Sequence, residues 1–453
     1  MANTRLYKVY SGSSGTNAQK KWTVSVWVKK QKTGASQTIA GGYRSSNNFY
    51  CDLLKFNANG NLKFFSNSDA GNADTFFQTN ARYNDVNGWY HIVQNVDTTQ
   101  STQSERFKMW VNGEQITSWS SSTYPVQNDS LYWGMPNDVE HQIGAINSGE
   151  YWDGLMSHFY FIQNETHAPT VFGQTDATTG EWSIKTNVTG VNYIGRSFYI
   201  FKDNNSHTDQ SGNNNTWSLS GNLTKTEDNP SNVFATWNPL DGNLGNSTFS
   251  YSNNKFNSED GANKCWARST LGMTSGKYYF EMKVQTPSNN CAIGISDRPS
   301  PNLTTELGAG AYDYSYQSAN SGNKYNNGSQ SSYGNTYTTN DIVSCALDLD
   351  NLKVYFGKNG TWQNSGDPTS GSTGTGAAFT VAAPSSTDGG AYFFCGGDLT
   401  GSNNVRLLAN FGNGIFADND PVASAGTNAS NNGIFEYDVP TGYTALSTKG
   451  LNL

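Results

Sequence analysis

The side chains that could carry chemistry in this chain are carboxylates, histidines and aromatic rings. Asp348 and Asp350 stand at i and i+2 in Asp341-Ile-Val-Ser-Cys-Ala-Leu-Asp-Leu-Asp, a spacing that puts both on one strand face. Glycoside hydrolysis uses two carboxyl groups facing one bond, roughly 5–5.5 Å apart in retaining enzymes. Yet the pair flanks Asp350-Asn351, a turn dipeptide in which Asp is favoured for its own backbone hydrogen bonds. Glu150 and Asp153 are close in sequence but not at that spacing. The five histidines, His91, His141, His158, His167 and His207, show no metal-ligand spacing. His91, inside Trp89-Tyr-His-Ile, reads as a sheet residue. No phosphate-binding glycine loop is present. No nucleophile, base and electrophile recur together, so the chain is not expected to be an enzyme.

The aromatic residues offer recognition instead of catalysis. Residues 306–341 hold Tyr312, Tyr314, Tyr316, Tyr325, Tyr333 and Tyr337 among Ser, Gly and Asn. That mixture resembles a paratope, with rigid amphipathic rings between adaptable polar neighbours. Tyrosine and tryptophan also stack on the apolar C–H faces of sugars. Tyr312, Tyr314, Tyr316, Tyr325 and Tyr333 are therefore candidate ligand-binding residues, joined by Trp119, Trp133 and Trp152 from the first part of the chain. Strand alternation of Tyr312, Tyr314 and Tyr316 offers the competing assignment of about half these tyrosines to the core.

The elements that must position these groups are strands. Of 453 residues, 12 are Trp, 25 Tyr, 23 Phe, 47 Gly and 56 Asn, while charged residues make up only 14%. Sixty aromatics can fill a large core, and the low charge excludes coiled coils and most helical folds. A net charge of −8 without a basic stripe excludes the usual nucleic-acid binder. No apolar run approaches the ~18 residues of a membrane span, and the N-terminus lacks the apolar core of a secretory signal. Five cysteines, an odd number, make no disulfide framework, and Cys291, Cys345 and Cys395, inside apolar strand-like runs, are read as reduced core residues.

Trp22, Val24, Val26 and Val28 share one face of a first strand. Asp52–Phe56 and Leu62–Phe65 make a hairpin about Asn59-Gly60, and Phe107–Val111 ends in a second turn at Asn112-Gly113. Leu155–Ile162 is apolar on both faces, as a central strand would be. Thr166–Phe172 suggests a short helix and Ser197–Phe201 a strand, in an otherwise Asn/Ser/Thr-rich stretch. In Tyr278–Val284, Tyr278, Phe280, Met282 and Val284 are expected inside, with Glu281 and Lys283 outside. The expected fold is all-β, two tandem antiparallel sandwiches. Their ranges are 1–163 and 233–453, with a partly structured connector over 164–232.

WTVSVWVKK (22–30), GWYHIVQNVD (88–97), MWVNGEQIT (109–117) and HQIGAINSGEYWDGLMSHFYFI (141–162) resemble, in order, the concanavalin A-like or laminin-G-like jelly roll. SGKYYFEMKV (275–284), AIGIS (292–296), DIVSCALDLDNLKVYFGKNGTW (341–362), VRLLANFGNGIF (405–416) and VPTGYTALST (439–448) resemble a SPRY domain. The pairing, with its TGEW, SFYIFKDNNS and NVFATWNPL connector, is similar to virion proteins of marine bacteriophages.

That resemblance implies a non-enzymatic virion structural protein: a tail fibre, head fibre or capsid decoration. It would be assembled in the host bacterial cytoplasm and displayed on the virion surface. Implied partners are other virion proteins and a host-surface glycan, in a homo-oligomer, without nucleic acid or membrane insertion. Laminin-G-like domains often hold calcium through Asp and backbone carbonyls, making Asp52, Asp97 and Asp153 weak candidates for a structural calcium. No other cofactor is expected. The glucanase motif of the concanavalin-like family, Glu-x-Asp-x-x-Glu, is absent. A polysaccharide-degrading enzyme on that scaffold and an intracellular SPRY peptide-binding adaptor are the alternatives.

Overall fold

The computed structural model describes residues 4–12, 19–67, 74–133, 138–147, 149–202, 206–258, 264–286, 290–319, 322–399, 405–417 and 420–452. Its regular structure is β-strand and single 3-10 turns. Among the described residues no helix is long and apolar enough to cross a membrane. Two compact units divide the chain, Met1–Lys225 and Thr226–Leu453.

In the first unit an eight-stranded antiparallel sheet runs Trp119–Thr123, Thr75–Arg82, Asn61–Ser66, Phe49–Phe56, Gln37–Arg44, Glu140–Ile143, Arg5–Val9, Ser218–Ser220. A six-stranded sheet runs Phe198–Ile200, Gly154–Gln163, Lys21–Lys30, Tyr90–Asp97, Phe107–Val111, Glu114–Gln115. Trp22, Val24, Val26 and Val28 point together into a core shared with Leu54, Leu62, Phe64 and Phe77 of the larger sheet. Alternation along a pleated strand thus fixes which side chains face inward. The turn Asn112-Gly113 has positive φ at both residues (49° and 82°), as a two-residue hairpin requires.

Residues 164–232 are divided between the units. Phe198–Ile200 pairs with Gly154–Gln163, and Ser218–Ser220 with Arg5–Val9. Phe198, Ile200 and Trp217 join the first core, while Phe172 and Tyr199 pack with Val93, Tyr160 and Ile162 in a second cluster. Asp209 orders the Asn-rich loop by accepting from the backbone N–H groups of Tyr199, Ser211 and Asn215. The helix expected at Thr166–Phe172 is one 3-10 turn, Pro169–Val171.

The second unit places Thr248–Ser250, Lys255–Asn257, Arg406–Asn410, Lys277–Val284, Ile342–Asp348, Lys353–Lys358 and Thr361–Trp362 in one sheet. Phe379–Thr380 and Thr444–Ala445 attach at its margins. The other sheet runs Trp266–Arg268, Phe393–Asp398, Cys291–Ser296, Tyr314–Gln317, Asn323–Asn326, Ser329–Ser332. Tyr278, Phe280, Met282 and Val284 face the core between them. Glu281 faces away from that core, yet it is fully buried, contrary to the expected outside position. Phe234, Phe435, Val439 and Tyr443 return over this face and pack on Tyr279, Ala346 and Tyr355. All five cysteines are free and buried.

Candidate functional site

The outer face of the eight-stranded sheet in the first unit carries an ordered set of outward side chains. Leu62, Phe64 and Phe77 point to the core, so their neighbours Lys63, Phe65, Phe76 and Gln78 point out. Register brings them together: Leu53 opposes Phe65, Phe65 opposes Phe76, Lys55 opposes Lys63, and Lys63 opposes Gln78. Phe65 and Phe76 are half-buried and meet edge to face, centroids 6.3 Å apart at 71°. Tyr43 and Tyr50, also half-buried, form a second ring pair at 5.9 Å. Gly41 leaves room beside Leu53, whose Cα would lie 3.0 Å from an added Cβ.

Polar groups frame these rings. Lys55 Nζ donates to both carboxylate oxygens of Glu150 at 2.8 Å. Gln78 Nε2 donates to Ser120 Oγ at 3.2 Å. Further along, Arg5 crosses the Tyr7 ring at 5.4 Å to reach Glu140 at 2.9 Å. Gln142 also donates to Glu140, at 2.6 Å, and its own oxygen is buried without a hydrogen-bond partner. Rings flanked by fixed donors and acceptors are the combination that binds a sugar: C–H faces stack, hydroxyls bond at the rim.

The candidates chosen from sequence are distributed differently. Tyr314, Tyr316 and Tyr333 are core residues of the second unit, and Tyr337 joins them. Tyr316 stacks on Phe356 at 5.7 Å, and the Tyr333 hydroxyl accepts from Phe356 N–H at 3.2 Å. Their hydroxyls are absorbed by backbone groups, so as ligand-binding residues these three are corrected to packing residues. Tyr312 and Tyr325 remain half-buried. In the first unit Trp133 is buried and stacks on Phe161 at 5.1 Å, so it too is corrected to the core. Trp119 and Trp152 are half-buried and lean on that core, against Phe77 and Phe56 respectively.

The three aspartates do not converge. Asp52 accepts from the backbone N–H groups of Tyr132 and Trp133 at 2.7 and 2.6 Å, and burial pushes its carboxyl up to about 6. Asp97 caps its own turn through Thr99 and Gln100. Asp153 pairs with Lys32 at 2.9 Å. Among the described residues no group of three His, Cys, Asp or Glu side chains could hold a metal ion.

The carboxylates Asp348 and Asp350 are structural as well. Asp348 is buried, pairs with Lys277 at 3.0 Å and caps Asn351, while Asp350 accepts from Gly276 N–H. His91 is buried and stacked on Trp27 at 4.6 Å. Trp182 Nε1–H donates to its Nδ1 at 2.9 Å, so the proton sits on Nε2 and points to Ser25 Oγ, also at 2.9 Å. Burial holds His91 neutral, its pKa lowered to about 3. A Ser–His contact without access to solvent is a packing feature, not a nucleophile.

Sequence reasoning missed Lys63, Phe65, Phe76, Tyr43 and Tyr50. The signal was present: Leu62-Lys-Phe-Phe65 and Thr75-Phe-Phe-Gln78 place aromatics on both faces of a strand. On an antiparallel sheet with one solvated face, the second aromatic is the informative one.

Comparison with known proteins gives two domain matches. Residues 8–172 match the concanavalin A-like lectin/glucanases superfamily, and residues 277–396 match the SPRY domain. The ATP-dependent RNA helicase DDX1 of Xenopus laevis is 34% identical over 93 residues, 20% of this chain and 12% of that protein. Ran-binding protein 9 of Mus musculus is 29% identical over 86 residues, 19% of this chain and 13% of that protein. The chain thus spans only about an eighth of these relatives. Among solved structures, the SPRY domain of human HERC1 is 19% identical with a TM-score of 0.27, covering 34% of this chain and 86% of that one. The TRIM65 PSpry domain is 14% identical with a TM-score of 0.29, covering 39% and 92%. The chain joins a concanavalin A-like domain to a SPRY domain, two domain types that are generally binding modules.

Proposed function

We propose that this chain is a non-enzymatic binding protein whose first unit recognises a glycan on the outer face of its eight-stranded sheet. The observation that carries the reading is the cross-strand pair Phe65–Phe76, half-buried and bordered by Lys63, Lys55 and Gln78. The aspartates first considered for catalysis are taken up by ion pairing and turn capping. The proposed setting is the surface of a bacteriophage particle, supported by the resemblance of the paired domains to marine phage virion proteins. There, weak single-site contacts would be multiplied by repeated display.

A second reading concerns the other unit. Its SPRY segment is similar to a Ran-binding protein, which supports protein docking as its role, including docking to neighbouring virion proteins.

The test is an array of bacterial and algal glycans probed with the full chain and with Phe65→Ala. Retention of a defined glycan by the wild type, lost in the variant, is expected. Release of reducing sugar from any arrayed polysaccharide would overturn the non-enzymatic reading. Mass spectrometry of density-purified particles tests the setting: the chain is expected at tens to hundreds of copies, and its absence would contradict virion display.

A further inference from the structure

Among the described residues, Lys63 is held by aromatic rings and not by a direct ion pair. It stands between Lys55 and Gln78 across the sheet, and like charges directly opposite one another destabilise a strand pair. Lys55 is neutralised by Glu150, and Arg5 by Glu140. Lys63 has no carboxylate within ion-pair reach among the described residues. Its ammonium instead lies 5.1 Å from the centroid of Phe65 and 4.7 Å from that of Phe76. Two rings fix the cation at the centre of the aromatic pair, partly stripped of water. Burial, and then the charge of Lys55, press it toward its neutral form, and the Glu150 carboxylate, engaged by Lys55, offsets this only in part.

Resting on the reading of this face as a glycan platform, we propose that it selects acidic glycans, a carboxylate or sulfate of the ligand pairing with the Lys63 ammonium while a sugar ring meets Phe65 and Phe76. The anion supplies the direct ion pair that Lys63 lacks among the described residues. A charge-assisted hydrogen bond to a preorganised donor is about twice as strong as a neutral one. Close contact is also what survives high salt, because at ~1 M ionic strength the screening length is only about 3 Å.

The test is isothermal titration of the full chain with an oligogalacturonate, with its fully methyl-esterified form, and with a sulfated galactan oligosaccharide. Lys63→Gln, Phe65→Ala and Lys225→Gln accompany the wild type. Lys225 is exposed and far along the chain from the platform, so it controls for net charge. At least one acidic probe is expected to bind about tenfold tighter than the ester, a difference of ~1.4 kcal/mol. Lys63→Gln should erase that preference and Lys225→Gln should leave it. The two acidic probes separate carboxylate from sulfate as the preferred group. Equal affinity for acid and ester, with binding lost in Phe65→Ala, would overturn the charge selection and leave the platform standing. Binding untouched by Phe65→Ala, or no binding of any probe, would overturn the platform and the selection together.

Discussion

Lys63 and Glu281 occupy the same kind of position. Each is a charged residue between apolar neighbours on a strand, pointing away from the core of its sandwich. Lys63 remains on an accessible face with half-buried rings beside it. Glu281 is covered by chain from the C-terminal end of the second unit and is completely buried. There it accepts from Glu436 and Tyr437 N–H at 2.9 Å, from Tyr279 Oη–H at 3.0 Å and from Asn410 Nδ2 at 3.3 Å. An outward position is therefore not the same as a solvent position. In one unit this position on the outer face stays accessible, and in the other it anchors the protein's own chain.

Removing the two charges should separate these roles most strongly. Glu281→Ala strands two backbone N–H groups and an amide in a buried site. It is expected to destabilise the second unit by about 4 kcal/mol, read by chemical denaturation. Lys63→Gln should change stability by no more than ~0.5 kcal/mol. Comparable losses from both would break the comparison.

The pH response should sharpen it. Burial raises Glu281 to about 7 in the folded unit against an ordinary value of 4.5. Between those values the native state holds the extra proton, so its contribution to stability falls as pH rises through the window, by up to about 3 kcal/mol. In the first unit, burial lowers His91 to about 3 and His141 to about 4. Their neutral forms contribute stability that is complete above ~6.5 and lost as pH falls. Asp52, raised to about 6, offsets part of that loss. Going from pH 8 to 5.5, amide protection relative to the intrinsic exchange rate should fall in 90–97 and rise in 278–284. A shift of the same sign in both segments would contradict these assignments.

Smaller effects follow at single rings. Phe76→Ala removes half of the platform's ring pair. It should weaken glycan binding about tenfold, or ~1.4 kcal/mol, while the melting temperature changes little, because the ring is on the outer face. Trp182→Phe leaves the buried His91 Nδ1 without its donor. It should cost the first unit about 1 kcal/mol without touching glycan binding, measured by denaturation and titration in parallel.

Much of the architecture was legible in the chain. Two all-β units follow from the aromatic and Asn/Gly/Ser content, and the inward faces of Trp22–Val28 and Tyr278–Val284 follow from period-two alternation. The pairing of distant strands was not legible. Phe198–Ile200 looks like an isolated apolar triplet until Gly154–Gln163 supplies its partner. The site was less legible still. The tyrosines of 306–341 stood out by composition, but composition does not say which face a ring takes, and Tyr314, Tyr316 and Tyr333 turn inward. Phe65 and Phe76 sit 11 positions apart and become one surface only through sheet register. Glu281 reads as solvent-facing because a local pattern contains no information about chain that returns 155 residues later.

The most direct measurement is the footprint of a bound oligosaccharide on the full chain by hydrogen exchange or by NMR shifts. Protection over 53–65 and 75–80, with 312–333 unchanged, is the expected result. A footprint on 312–333 with none on 53–80 would contradict the assignment of recognition to the first unit.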